Sequence, residues 1–396
     1  MKMLEYKNNE KELNNLNRNI NIQNKGTIVI VSTSDLHFGA INPKTEYDIL
    51  CEQMLNKLEN IHFDIFTING DIFDSKFMSN SDVVMYASMF IDKVVSLCRR
   101  KRATFFIIAG TELHDAGQIK LFYHYLQDPT IDIRIVEDCR FEYTKNAKIL
   151  CIPELYGKGE DYYKPLLFSQ RYDCVFMHGA FTGAIFNLNP KGLDSDREVT
   201  FKFSDFCQCE SLMLSGHVHT PGVFGNGYFY YSGTPIRYKF GEEEPKGFLI
   251  SAVNLDTHEH YTEFQEIKSF RYDTVNVDDL LMSDPQTIVN YVNELKSQGI
   301  DYIRLEFTKV NENNVANYNI INNYYKNSRS VKIKCNYSEK QKIIEQNDQT
   351  DEIYKQYDYI LDDSLSPEQI FVKYVNQQKG FEYISVDDLM EILNDL

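Results

Sequence analysis

Apolar positions along the first third of the chain switch between two periods. Thr27–Ser32 is a β-branched run, Ile49–Leu58 carries a helical stripe, Phe63–Ile68 is apolar again, Val83–Leu97 is helical, and Thr104–Ala109 gives a third buried run. Strands alternating with helices predict a sheet covered on both faces, with chemistry at the carboxyl ends of its strands. Beyond Ile131 strands follow one another closely, at Ile131–Val136, Lys148–Ile152, Cys174–Met177, Leu212–Leu214, Tyr228–Tyr231, Phe248–Val253 and Tyr261–Ile267. The expected fold is α/β (α+β): a two-sheet β-sandwich flanked by helices.

The pattern divides the chain into four parts. Residues 1–25 are rich in Asn and charge and read as a flexible extension, and residues 26–268 hold the sandwich. After a break near Phe270, residues 269–340 predict a small α+β domain: a strand at Asp273–Val277, a helix at Asp284–Leu295, a strand at Tyr302–Phe307, an Asn-rich polar stretch, and a strand at Val331–Cys335. Residues 341–396 predict short acidic helices. One opens at Ser366, shows Ile370, Phe371, Tyr374 and Val375 on one face, and stops at Gly380; another opens at Ser385 and carries Leu389, Ile392 and Leu393. Such stripes on short helices suit docking to a partner.

Composition narrows the class. With 43% apolar residues, 27 Tyr and 26 Phe among 396 residues, the chain is expected to fold around a large core. No apolar run approaches the roughly 18 residues of a membrane span, and no basic stretch followed by an apolar one opens the chain, so a cytoplasmic protein with no membrane partner is expected. The eight cysteines lie mostly in strand-like runs and are expected to be reduced; Cys207 and Cys209 make only a C-x-C, short of a zinc site. The net charge of −17 is concentrated at the end: residues 345–396 contribute −10 of it. The charge of the rest neither favours nor excludes DNA. The basic run Arg99–Arg102 ends a predicted helix, where cations complement the dipole.

Candidate ligands follow the predicted strands. Asp35 and His37 come after the first, Asp71 and Asp74 after the second, and Gly110–Asp115 after the third; His178, His217 and His219 follow later ones. Carboxylates mixed with imidazoles at one sheet edge suit two borderline divalent ions such as Mn²⁺, with Asp71 placed to bridge them. Such a pair, roughly 3.5 to 4 Å apart, clamps a phosphoryl group and activates water. Any one of these motifs is commonplace; their order and shared position after strands is what points to metal chemistry.

The motif series resembles the calcineurin-like metallophosphoesterases. The segment from Tyr231 through Ser232, Gly233, Thr234, Pro235 and Ile236 to Glu242, followed by Lys246 and Gly247, narrows the resemblance to SbcD-type nucleases, the bacterial and phage nuclease subunits of double-strand-break repair. It covers about residues 27–267, and the small second domain matches that family's DNA-binding capping domain in layout only. The resemblance implies a DNA exo/endonuclease with two Mn²⁺ (or Mg²⁺) ions, Asp35, His37, Asp71 and His219 around one and Asp71, His178 and His217 around the other. It also implies a homodimer and a coiled-coil ABC-type ATPase partner of the SbcC kind, in the host cytoplasm where a phage encodes the chain. A phosphatase of the same fold or a catalytically weakened scaffold are the alternatives. In the family an Asn in a Gly-Asn-His-Asp loop completes the second site and its His protonates the leaving oxygen. Here the loop is two residues longer and has Thr111, Glu112 and Leu113 before His114 and Asp115. Thr111, Glu112 and water stay open as the replacement, the second ion is expected to bind more loosely than the first, and His114, supported by Asp115, is the expected general acid.

Overall fold

The computed structural model describes residues 26–115, 117–181, 200–278, 284–308, 312–328 and 330–335, with a few isolated positions beyond. The extension at 1–25 and the helices expected in 341–396 lie outside the described residues, those isolated positions apart. The chain divides into two compact units, Met1–Tyr272 and Asp273–Leu396.

The first unit begins with β1 (Thr27–Thr33), α1 (Pro43–Ile49), β2 (Ile65–Asn69), α2 (Asp82–Lys101) and β3 (Thr104–Ile108). Helix α1 runs on through a π-helical stretch, Leu50–Leu55, into Asn56–Leu58. It starts earlier than the apolar stripe indicated because Asn42 caps it, accepting the Thr45 N–H at 3.1 Å, and Pro43 occupies its first turn. Helix α2 is capped by Ser81 and closes with Arg102 in the left-handed region. Of the basic run there, Arg99 pairs with Asp128 at 2.8 Å and Arg100 with Glu59 at 2.5 Å, so these cations serve the fold.

The chain continues with β4 (Asp132–Val136), β5 (Arg140–Thr144), β6 (Ala147–Ile152), α3 (Glu160–Leu167), β7 (Tyr172–His178), the short β8 (Ala180–Phe181) and β9 (Thr200–Phe201), then β10 (Cys209–Gly216), β11 (Gly222–Phe224), β12 (Phe229–Tyr231), β13 (Lys246–Asn254) and β14 (His260–Ile267). Two six-stranded sheets result, ordered β14-β13-β1-β2-β3-β4 and β11-β12-β10-β7-β6-β5. Strands β1 to β4 are mutually parallel, as are β6, β7, β10 and β12. This is the expected sandwich.

The central strands β1, β2, β3 and β7 are mostly apolar because both of their faces are buried. Ile28, Ile30, Phe106 and Ile108 meet Cys151, Phe176, Leu212 and Leu214 between the sheets, while the alternate residues Val29, Val31, Phe66 and Ile107 pack beneath the helices. Phe106 and Phe176 cross the interface edge to face at 5.3 Å. Truncating either ring to Ala costs about 3–5 kcal/mol.

The second unit contains most of β15 (Tyr272–Asn276), then α4 (Pro285–Ser297), β16 (Tyr302–Phe307), α5 (Glu312–Tyr325) and β17 (Val331–Cys335), with the sheet order β15-β16-β17. Ile288, Val292 and Leu295 of α4 pack with Ile303, Leu305 and Phe307. The Asn-rich stretch after Phe307 is the helix α5, hidden from the apolar pattern because its apolar residues do not gather into one helical stripe.

Candidate metal centre

Parallel strands end at one edge, and the carboxyl ends of β1, β2, β3, β6, β7 and β10 deliver the polar residues there. Tight turns turn the chain back at once. Asp35, His37 and Asp71 have φ near 51–53° and His217 has φ 91°, so four of the eight described non-glycine residues with positive φ belong to this edge. Such conformations cost of order 1–3 kcal/mol each and persist where surrounding structure holds them. Here the Asp35 N–H donates to Gly70 O, the His37 N–H to Asp71 O, both at 3.0 Å, and the Phe38 N–H to Ile72 O at 2.9 Å. Gly70 itself has φ 87°, and a Cβ on it would stand 2.1 Å from His178 Nδ1. Backbone and imidazole touch because that position has no side chain.

Two clusters form around one carboxylate. In the first, His37 Nε2 and His219 Nε2 are 3.0 Å apart and His219 Nε2 lies 3.9 Å from Asp35 Oδ1. In the second, His178 Nε2 and His217 Nδ1 lie 3.5 and 3.1 Å from Glu154 Oε2. Asp71 Oδ2 stands 3.3 Å from His178 Nε2 and 3.9 Å from His37 Nε2. Asp35 accepts the His217 N–H at 3.0 Å, which ties the first cluster to the second through the backbone. All six expected ligands thus converge.

The electrostatics fit divalent cations. Burial pushes the His37 pKa down to about 4, despite the pull of Asp71, so this imidazole offers a free lone pair at neutral pH. Burial works the same way on His178, but Asp71 outweighs it and holds the pKa well above 6.5. The proton on His178 occupies a place that a cation would take, and metal binding at such a site releases protons. Asp71 remains ionised: burial opposes its charge, yet His178 and then His37 bring its pKa below the ordinary carboxylate range. Carboxylate oxygens and imidazole nitrogens within 4.8 Å of one another make a donor set that could hold a metal ion.

Supporting groups fix these side chains. His178 Nδ1 donates to Asn69 O at 2.7 Å, which directs Nε2 at the carboxylates. Behind His219, Glu242 Oε1 lies 3.7 Å from Nδ1. Burial raises the Glu242 pKa, but His219 and Lys246 bring it down to about 2. The Tyr238 hydroxyl donates to Leu36 O, and its ring meets the His37 ring edge on at 5.8 Å. The segment from Tyr231 to Glu242 therefore backs the first cluster.

In the loop after β3, two of the replacements left open by the sequence point in different directions. Glu112 is exposed, and Thr111 is the residue that turns inward: its N–H donates to Asp71 Oδ1 at 2.7 Å and its hydroxyl lies 3.3 Å from Asp71 Oδ2. The His114 ring is 4.7 Å from that of His37, and its Nδ1 donates to the Asp74 carbonyl. Asp115 faces the backbone, accepting N–H groups from Gly110 at 2.8 Å, Ile72 at 2.9 Å and Phe73 at 3.4 Å. Its pKa is raised to about 7, by burial first and then by Asp71. Glu154 is the residue that sequence reasoning missed. Its signal was faint: a lone acid separated by one proline from the end of an apolar strand.

A cleft of about 230 Å³ reaches Glu154 from outside, bordered by Gly110, Glu112, Tyr156 and Lys158. A further group, Asp173, Glu210 and His258, draws on the opposite ends of β7 and β10, where Arg171 already pairs with Glu210 at 2.9 Å. All eight cysteines are free, and among the described residues no helix is long and apolar enough to cross a membrane.

No family model and no curated protein matches the chain. A solved structure aligns over 61% of this chain and 100% of its own length at 13% identity, with a TM-score of 0.39, a likeness too slight to argue from.

Proposed function

We propose that the chain is a metal-dependent DNA nuclease subunit of the SbcD type, within the calcineurin-like metallophosphoesterases. The observation that carries this reading is the place of Asp71 Oδ2 between His37 and His178, one oxygen shared by two ligand clusters. Asp35, His37 and His219 would hold one ion, His178 and His217 the other, with Asp71 common to both. Such a pair of ions, when bound, neutralises phosphoryl oxygens and lowers the pKa of water. The chain's own residues do the rest. The Asn69 carbonyl orients His178, Glu242 backs His219, and the strained turns at Asp35 and Asp71 keep the carboxylates aimed at one point. With Nδ1 committed to the Asp74 carbonyl, His114 has Nε2 left to pass a proton to a leaving oxygen.

DNA is favoured over a small ester by the Tyr231–Gly247 segment, which resembles the SbcD type, and by a second α+β unit that a small-molecule phosphatase would not need. The same resemblance supports a homodimer working with a coiled-coil ABC-type ATPase. The decisive experiment incubates the purified chain and Mn²⁺ with labelled single- and double-stranded DNA beside a generic phosphate ester. Cleavage of DNA is expected; hydrolysis of the ester alone would show a phosphatase.

A further inference from the structure

We propose that Glu154 is a direct ligand of the second ion, so that a carboxylate from β6 takes the part that the loop after β3 cannot play. This rests on the two-ion reading above.

The placement follows from the fold. Strand β6 runs parallel to β7 with Ile152 opposite Met177, and the chain leaves β6 through Pro153, which has no N–H to extend the ladder. The Glu154 N–H then donates to Ala109 O, at 3.3 Å, at the end of β3 in the other sheet. Glu154 is thus fixed from both sheets, beside His178 and beneath the Gly110–Asp115 loop. Its side chain is 6% exposed. One oxygen, Oε2, faces His217, His178 and the Thr111 hydroxyl at 3.1, 3.5 and 3.3 Å. The other, Oε1, is buried without a hydrogen-bond partner. A carboxylate with an unsatisfied buried oxygen carries a desolvation cost that coordination of a cation removes.

The loop itself supplies no competing ligand. Glu112 is exposed, and Thr111 spends its N–H and hydroxyl on Asp71 and Glu154. With Glu154 included, the two clusters have the same composition. Asp35, His37 and His219 on one side, and Glu154, His178 and His217 on the other, each give one carboxylate and two imidazoles, with Asp71 between them. The second ion therefore gains a charged ligand and binds about as well as the first, reversing what the altered loop alone would imply.

The test counts Mn²⁺ bound to the full chain by titration calorimetry and by electron paramagnetic resonance, which registers coupling between paired ions. Two ions of similar affinity are expected. Glu154→Gln keeps shape and an oxygen but loses the charge; it is expected to weaken one ion by more than about 10-fold and leave the other unchanged. Glu154→Ala is expected to remove that ion, and Glu112→Gln to retain both. Two ions bound to Glu154→Gln as tightly as to the unaltered chain, or loss of an ion from Glu112→Gln, would overturn the assignment. A chain that binds two ions, one dependent on Glu154, yet leaves DNA intact upholds the ligand and defeats the nuclease reading. A single ion indifferent to Glu154→Gln defeats the ligand even where DNA is cut.

Discussion

Asp71 Oδ2 faces His178 Nε2 across 3.3 Å, and the charge of each stabilises the other in a pocket where burial opposes both. The same oxygen reaches toward His37, so removing its charge unsettles both clusters at once. Asp71→Asn is the informative change because Asn tolerates the left-handed backbone found there, φ 53°, better than other residues. The expected outcome is an unchanged circular dichroism spectrum, fewer bound Mn²⁺ ions, and DNA cleavage reduced by at least about 100-fold. Retention of most Mn²⁺-dependent activity would defeat the shared-carboxylate assignment.

Asp115 tests whether the loop acts through chemistry or through support. Its two oxygens hold three backbone amides, from Gly110, Ile72 and Phe73, and so tie the turn after β2 to the turn after β3. Asp115→Ala leaves those buried donors without acceptors, a loss of about 1–3 kcal/mol for each one stranded. We expect a lower unfolding temperature together with weaker metal binding. A variant with normal stability and ion binding but no cleavage would instead make Asp115 a participant in the reaction.

The candidate ligands were legible in the sequence because each stands at or just beyond the end of an apolar run, and parallel strands bring such positions to one edge. Asp35, His37, Asp71, His178, His217 and His219 are found that way. Glu154 was not, since a Pro-Glu after a strand has no motif of its own and its meaning arises only when β6 is laid beside β7. The longer loop left Thr111, Glu112 and water open, because spacing alone has no means of choosing among them; the helical turn Glu112–Asp115 points the Glu112 side chain outward and leaves Thr111 inside. The central strands read cleanly because two buried faces make most of their positions apolar. Helix α5 was obscured by its Asn-rich, weakly amphipathic sequence, and α1 was entered late because its start is written in a cap, Asn42 with Pro43, rather than in hydrophobic spacing.

Gly110 checks how tightly the sheet ends are packed. A Cβ there would meet the Asp71 backbone nitrogen and Oδ1, both at 2.2 Å, and neither can retreat without moving the carboxylate that the two clusters share. Gly110→Ala is expected to lose about 1–3 kcal/mol through overpacking and to weaken Mn²⁺ binding, as read by thermal unfolding with and without the ion. An unaltered metal-induced rise in unfolding temperature would show that the loop yields freely.

Glu46 gives the clearest pH dependence away from the ligands. It lies on α1 with no exposed surface, and burial raises its pKa well above the ordinary carboxylate range; the Gly39 amide opposes this and Asp74 reinforces it. The folded chain therefore keeps the carboxyl protonated where the unfolded chain has released its proton. A raised carboxyl pKa contributes stability that is fully present below the unfolded value and declines as pH rises toward the folded one. The decline amounts to about 1.4 kcal/mol for each unit separating the two. Glu46→Gln has no proton to lose, so its stability relative to the unaltered chain is expected to grow steadily from pH 5 upward. Denaturant unfolding of both chains between pH 5 and pH 9 measures this directly, and curves that stay parallel across the range would show that Glu46 is ionised in the folded protein.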